Sequence, residues 1–154
     1  ELHIIGEGRE VENLKNLVSQ FTTGHLIIFH GEKKGTDLDP FFDTCHIAIG
    51  SLGIHRKGLQ QASTLKIREY CSRGIPFITS DIDEDIPRDF PYYLKVEASD
   101  EPIYLPSLYN FAREMFKDPC HPLKMRNFAF DSLDMKIKMK SLANFFEEIL
   151  SKAD

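Results

Sequence analysis

One long window of this sequence contains no acidic residue. Between Thr44 and Arg68 there is neither aspartate nor glutamate, yet Arg56, Lys57, Lys66 and Arg68 all fall inside it. The whole chain is formally at −5, so the remainder stands at −9 against +4 in this window. The acidic balance argues against general nucleic-acid binding, which needs an extended basic face. Long apolar runs are also lacking, and none approaches the ~18 residues of a membrane-spanning helix. No secretory leader is expected, because Glu1-Leu2-His3-Ile4-Ile5-Gly6 opens at once as a strand. A chain that opens in this way is expected to be cut from something longer. Cysteine is sparse. Cys45, Cys71 and Cys120 are odd in number, far apart and free of any CxxC or zinc spacing, which predicts reduced, buried thiols in a cytosolic setting. His3, His25, His30, His46 and His121 show no metal-ligand spacing, so neither metal nor cofactor is expected. Internal repeats and low-complexity tracts are missing as well.

What is present reads as one globular domain over residues 1–154, with 42% hydrophobic and 28% charged residues. Leu2 to Gly6 predicts a strand. Val11, Leu14, Val18 and Phe21 are spaced for one face of a helix over 9–21. Leu26-Ile27-Ile28-Phe29 predicts a strand buried on both faces. A short helix is expected over 36–43, a third strand over 46–50, and a long loop over 51–62. Beyond residue 80 the reading is an acidic surface loop over 81–91, a short strand over 92–96 and a helix over 106–116. A proline-marked connector over 117–130 and a last helix over 133–150 complete it. Alternation of strands and helices predicts an α/β fold with a parallel sheet covered on both faces, whose ligands bind outside the carboxyl ends of the strands.

The stretch 61–78 organises the rest. Ser63 or Thr64 can cap a short helix, Gly74 can end it in the left-handed conformation, and Pro76 starts the next strand. Lys66 and Arg68 lie in its first turns, where the helix dipole disfavours cations by roughly 0.3–1 kcal/mol each. Cations gathered at a helix N-terminus suit an anion, above all a phosphate; a solvated basic face is the competing account.

Four pieces of the sequence carry a resemblance: Leu2-His3-Ile4-Ile5-Gly6-Glu7-Gly8-Arg9-Glu10, Ile28-Phe29-His30-Gly31, Cys45-His46-Ile47-Ala48-Ile49-Gly50-Ser51-Leu52, and Arg68-Glu69-Tyr70-Cys71-Ser72-Arg73-Gly74-Ile75-Pro76-Phe77-Ile78. In this order and at these distances they resemble the C-terminal, nucleotide-sugar-binding domain of a group 1 (family 4) retaining glycosyltransferase of the GT-B type. The likeness is clear up to Ile78 and looser beyond. It implies a Rossmann-like three-layer sheet, the C-terminal half of a two-domain enzyme, shortened at its N-terminus by a first strand and helix. It implies a nucleotide-sugar donor as substrate. The acceptor would be held by an N-terminal partner domain of the same full-length protein, through which peripheral association with a membrane would come. A cytoplasmic location, at the inner face of the membrane, and a role in polysaccharide synthesis follow from the same likeness.

By this resemblance Glu69 matches the carboxylate that binds the ribose hydroxyls. Gln61, eight residues earlier, stands in the catalytic position beside the transferred sugar, where the family usually has a glutamate. Ser63, Thr64 and Leu65 would offer backbone amides to the diphosphate, and Gly31, Glu32 and Lys33 would cradle the base. His55, Arg56, Lys57 and Lys66 are candidates for phosphate or acceptor contacts. An amide at position 61 can hydrogen-bond a sugar hydroxyl but cannot stabilise positive charge as a carboxylate does. The fragment alone is therefore expected to bind nucleotide weakly and to catalyse nothing. The alternative is a non-enzymatic α/β regulatory or interaction module whose basic loop binds an anionic partner, and Gln61 favours it slightly. A dinucleotide enzyme is disfavoured, because Gly6-Glu7-Gly8 lacks the third glycine of that fingerprint.

Overall fold

The computed structural model describes residues 1–152, and the chain divides into two compact units, 1–44 and 45–154. In the first, β1 (Leu2–Ile4) and β2 (Ile27–Phe29) run parallel, with Leu2 opposite Ile27 and Ile4 opposite Phe29. Helix α1 (Val11–Val18) lies in the crossover between them. It stops short of Phe21. The amides of Gln20 and Phe21 turn back to the carbonyls of Leu17 and Val18, and Gly24 comes so close that a Cβ there would lie 2.4 Å from the Val18 carbonyl oxygen. A 3₁₀ turn at Gly35–Leu38 leads into α2 (Asp39–Thr44), where a short helix is predicted. No residue of this unit is fully buried. Strand β2 is half-buried along its length, so the expected burial on both faces is met only in part. A two-stranded sheet shields its own apolar residues poorly.

In the second unit β3 (Ala48–Ile49), β4 (Phe77–Thr79) and β5 (Tyr93–Lys95) form a parallel sheet in the order β3-β4-β5. Ala48 sits opposite Phe77, and Phe77 opposite Tyr93. Central β4 is buried throughout, with Ile78 wholly enclosed, which is why Pro76-Phe77-Ile78 reads as an unbroken apolar run. Helix α3 (Leu65–Arg73) makes the crossover from β3 to β4. Its buried residues Ile67, Tyr70 and Cys71 recur at helical spacing. The Tyr70 hydroxyl donates to the Ile49 carbonyl at 3.0 Å, and its ring lies 6.2 Å from that of Phe77. Burial pushes the Tyr70 hydroxyl and the Cys71 thiol each up to about 12.

Helices α4 (Leu105–Met115), α5 (His121–Phe128) and α6 (Met135–Ser151) complete the chain, with a π-type turn at Ala129–Leu133 between the last two. The half-buried residues of α4 include the predicted Leu108, Phe111, Ala112 and Met115. Residues 117–130 are not a connector. They contain α5, because Pro122 falls in a first helical turn, where its missing amide costs nothing. Nor is 81–91 simply a surface loop, since Asp81, Ile86 and Phe90 are buried. The stripe Leu142, Phe145, Phe146, Ile149 and Leu150 on α6 is exposed. Cys71 is buried, Cys45 half-buried and Cys120 exposed, all three free, so the expected burial of every thiol does not hold. Among the described residues no helix is long and apolar enough to cross a membrane. The fold is thus α/β, with small parallel sheets of two and three strands.

Gly74 joins local conformation to packing. It closes α3 at φ +76°, the Ile75 amide reaches back to the Tyr70 carbonyl at 2.9 Å, and α5 presses against it. A Cβ at Gly74 would lie 2.6 Å from Pro122 Cα. Gly58 has φ +67° and open space around it. Gly58→Ala should therefore cost only the left-handed strain, about 1–2 kcal/mol. Gly74→Ala should add an overpacking penalty and lose about 2–4 kcal/mol in all. Urea denaturation of the two variants separates these effects, and equal losses would contradict the close packing at Pro122.

Candidate functional site: the opening turn of helix α3

Parallel pairing brings the carboxyl ends of β3, β4 and β5 to one edge. Pairing continues past the strands, with Gly50 N–H donating to Ile78 O at 2.8 Å and Ser80 N–H to Ser51 O at 3.0 Å. Gly50 permits this closeness, since a Cβ there would sit 2.9 Å from Thr79 Oγ1. Further out, Ile82 N–H donates to Gln60 O at 2.9 Å and Ala62 N–H to Ile82 O at 3.0 Å. This one-residue bridge fixes the backbone of Gln61 at the sheet edge, with its side chain exposed. Helix α3 starts four residues later, so its N-terminus opens on that edge.

No side chain caps α3. Thr64 holds the extended conformation of a cap residue, φ −93° and ψ 142°, but its hydroxyl accepts nothing from the first turn. Helix α6 shows the contrast, for Asp134 accepts from the Lys136 amide at 2.8 Å. The Ser63 hydroxyl, the other predicted cap, instead accepts from Arg68 Nη2 at 2.6 Å. Leu65 is 84% exposed, Lys66 is exposed and Ile67 is buried, and no side-chain cap accepts from the first-turn amides. A lost cap of this kind costs about 0.5–2 kcal/mol.

The cations of the window are not all free. Arg68 forms a fork to both carboxylate oxygens of Asp83 and also bonds Asp85, while Lys138 from α6 reaches Asp85. These partners hold the Arg68 guanidinium above its ordinary value, Asp83 being the largest cause. The Lys138 ammonium, then Arg68, hold the Asp85 carboxyl below its own. At the other end of the loop, Arg56 Nε donates to Asp100 Oδ1 at 2.6 Å and His55 Nε2 lies 3.0 Å from the same oxygen. These two contacts lower Asp100. Lys57 and Lys66 are exposed. Asp83, Asp85, Asp100 and Lys138 were not singled out in the sequence. The acidic run after β4 was the available signal that carboxylates would return to an acid-free loop.

Among the described residues three buried side-chain polar atoms have no partner: His55 Nδ1, Thr64 Oγ1 and Asp81 Oδ2. All three belong to segments that leave or enter the carboxyl edge of the β3-β4-β5 sheet. Such atoms are few in folded proteins and mark places where a ligand or water completes the bonding. Glu69, one turn into α3, bonds Arg73 Nε at 3.1 Å in a partly exposed pair; pairs of this type are worth about 0.3–0.5 kcal/mol and release readily. The loop 31–33 belongs to the first unit. There Gly31 has φ +67° and accepts from the Gly6 amide at 2.8 Å, Glu32 pairs with Lys34 at 3.0 Å, and Lys33 is half-buried. Local chain geometry thus gathers Gln61, Ser63, Thr64, Leu65 and Lys66. The arrangement offers donors to an oxyanion.

The Asp85 contacts make stability depend on pH. Its folded form binds a proton less tightly than the unfolded chain, whose carboxyl titrates near ~3.9. The stabilisation is therefore complete above about pH 5 and lost as the pH falls through 4 and below. Asp85→Asn should lower the urea midpoint at pH 7, and its gap from the parent protein should narrow progressively as the pH falls below 4. Parallel profiles over that range would contradict the network.

No protein-family model, no curated protein and no solved structure matches this chain.

Proposed function

We propose that this chain is the donor-binding part of a retaining glycosyltransferase of the GT-B type and that the opening turn of α3 holds the diphosphate of a nucleotide-sugar. The observation that carries the reading is an α3 N-terminus with no side-chain cap, turned to the carboxyl edge of its sheet, with a buried, unpartnered Thr64 hydroxyl beside it. Diphosphate oxygens would accept from these amides, and Lys66 would add charge. Glu69 would exchange its weak pair with Arg73 for the ribose hydroxyls. Gln61, fixed by the Ile82 bridge, would meet the sugar.

Strand pairing is compatible with this reading, since each unit's sheet is parallel, in the orders β1-β2 and β3-β4-β5. A neutral amide at Gln61 favours a second reading, a non-enzymatic module that binds an anionic partner.

Pro is tolerated at the first helical position, and Thr64 already holds the extended conformation that a following proline requires. Leu65→Pro therefore deletes one amide while sparing the helix. Calorimetric titration with UDP and GDP should show weak binding, with one nucleotide preferred. Leu65→Pro should weaken it by about tenfold or more, as loss of one charge-assisted hydrogen bond implies. Glu69→Ala should weaken UDP or GDP but not inorganic pyrophosphate. Affinities unchanged by both substitutions would overturn the assignment, and binding of a phosphorylated peptide with none of nucleotide would establish the second reading.

A further inference from the structure

On the inner side of α3 the second unit contains a cavity of about 300 Å³, at the lower end of the ~300–1,000 Å³ typical of small-molecule sites. Its walls are apolar, formed by Ile67, Phe77, Ile82, Ile86 and Tyr93. Asp81 lines it too and is only 2% exposed. The Thr79 hydroxyl donates to Asp81 Oδ1, but Oδ2 is buried with no donor at all. Lys95, on the same wall, does not supply one; its ammonium donates to the Ser80 carbonyl at 2.5 Å. Asp83, also on the wall, is occupied by Arg68. Arg88 and Lys95 are the exposed charged members of the lining. The site thus has one unsatisfied acidic oxygen within, an apolar body, and two cations nearer solvent.

We propose that this cavity binds a small amphipathic primary amine whose ammonium group donates to Asp81 Oδ2, whose apolar body lies between Ile67 and Ile86, and whose carboxylate meets Arg88. An ammonium is the complement of choice, because a buried carboxylate oxygen gains most from a charged donor. A ligand that carries only a carboxylate would bring like charge towards Asp81. A neutral alcohol could satisfy the oxygen but would forgo the charge. The proposal goes beyond the nucleotide-sugar reading and does not depend on it.

The test titrates the protein with 6-aminohexanoate, hexylamine, 1-hexanol and hexanoate, followed by ligand-observed NMR. The first two should bind, 6-aminohexanoate the more tightly, with hexanol and hexanoate weaker by about tenfold or more. Arg88→Ala, at an exposed position, should remove the advantage of 6-aminohexanoate over hexylamine. Asp81→Asn should weaken both amines by about tenfold or more while leaving hexanol unchanged. Should Asp81→Asn fail to fold, the ranking of the four probes on the unaltered chain still decides. Equal binding of hexylamine and hexanoate, or no binding of either amine at millimolar concentration, overturns the proposal. UDP or GDP titrated into the same samples should leave the probe signals in place.

Discussion

A helix must find acceptors for the amides of its first turn, and α3 supplies none of its own. Ser63 and Thr64 have the chemistry of caps and stand in the right positions. Yet the Ser63 hydroxyl faces the Arg68 guanidinium, and the Thr64 hydroxyl is buried without a partner. The fold tolerates this because α3 is secured elsewhere. Ile67 and Cys71 are enclosed, Tyr70 bonds the end of β3, and Gly74 closes the last turn against Pro122. Local rules broken at one end of a well-anchored element are a usual sign that the end serves a ligand.

Electrostatics around this turn are subtler than the sequence charge implies. The acid-free window does not stay acid-free in three dimensions. Asp83 and Asp85 return from the loop after β4 to take Arg68, and Asp100 takes Arg56. What remains for an anion is chiefly the amides, assisted by exposed Lys57 and Lys66. Recognition built on fixed backbone donors is short-ranged and less sensitive to salt than a field of free cations would be. The Arg68 guanidinium also holds the Ser63 hydroxyl, while Thr64 occupies the cap position.

Much of this was legible from the residues. Helix α3, its extended residue Thr64 and its left-handed Gly74 lie where Ser63-Thr64 and Gly74-Ile75-Pro76 predict them. The five strands fall within the predicted segments, and the parallel pairing follows from the alternation of elements. Helix α5 was hidden because Pro119 and Pro122 read as breakers, and only position within the first turn makes the second harmless. Burial of Asp81 was hidden because an acidic, proline-bounded stretch reads as solvated. Its neighbours' charges are in fact consumed by Arg68 and Lys138, residues remote in sequence. Partners brought together by tertiary structure leave no periodic trace.

The central claim is that the amides of the α3 opening turn are an anion site. The most direct test is a ¹H–¹⁵N correlation spectrum of the protein titrated with inorganic pyrophosphate at fixed pH and ionic strength. The account predicts saturable shifts concentrated on the amides of Leu65, Lys66 and Ile67. Small, unsaturating shifts spread over exposed lysines such as Lys57 and Lys140, with the α3 amides unmoved, would contradict it.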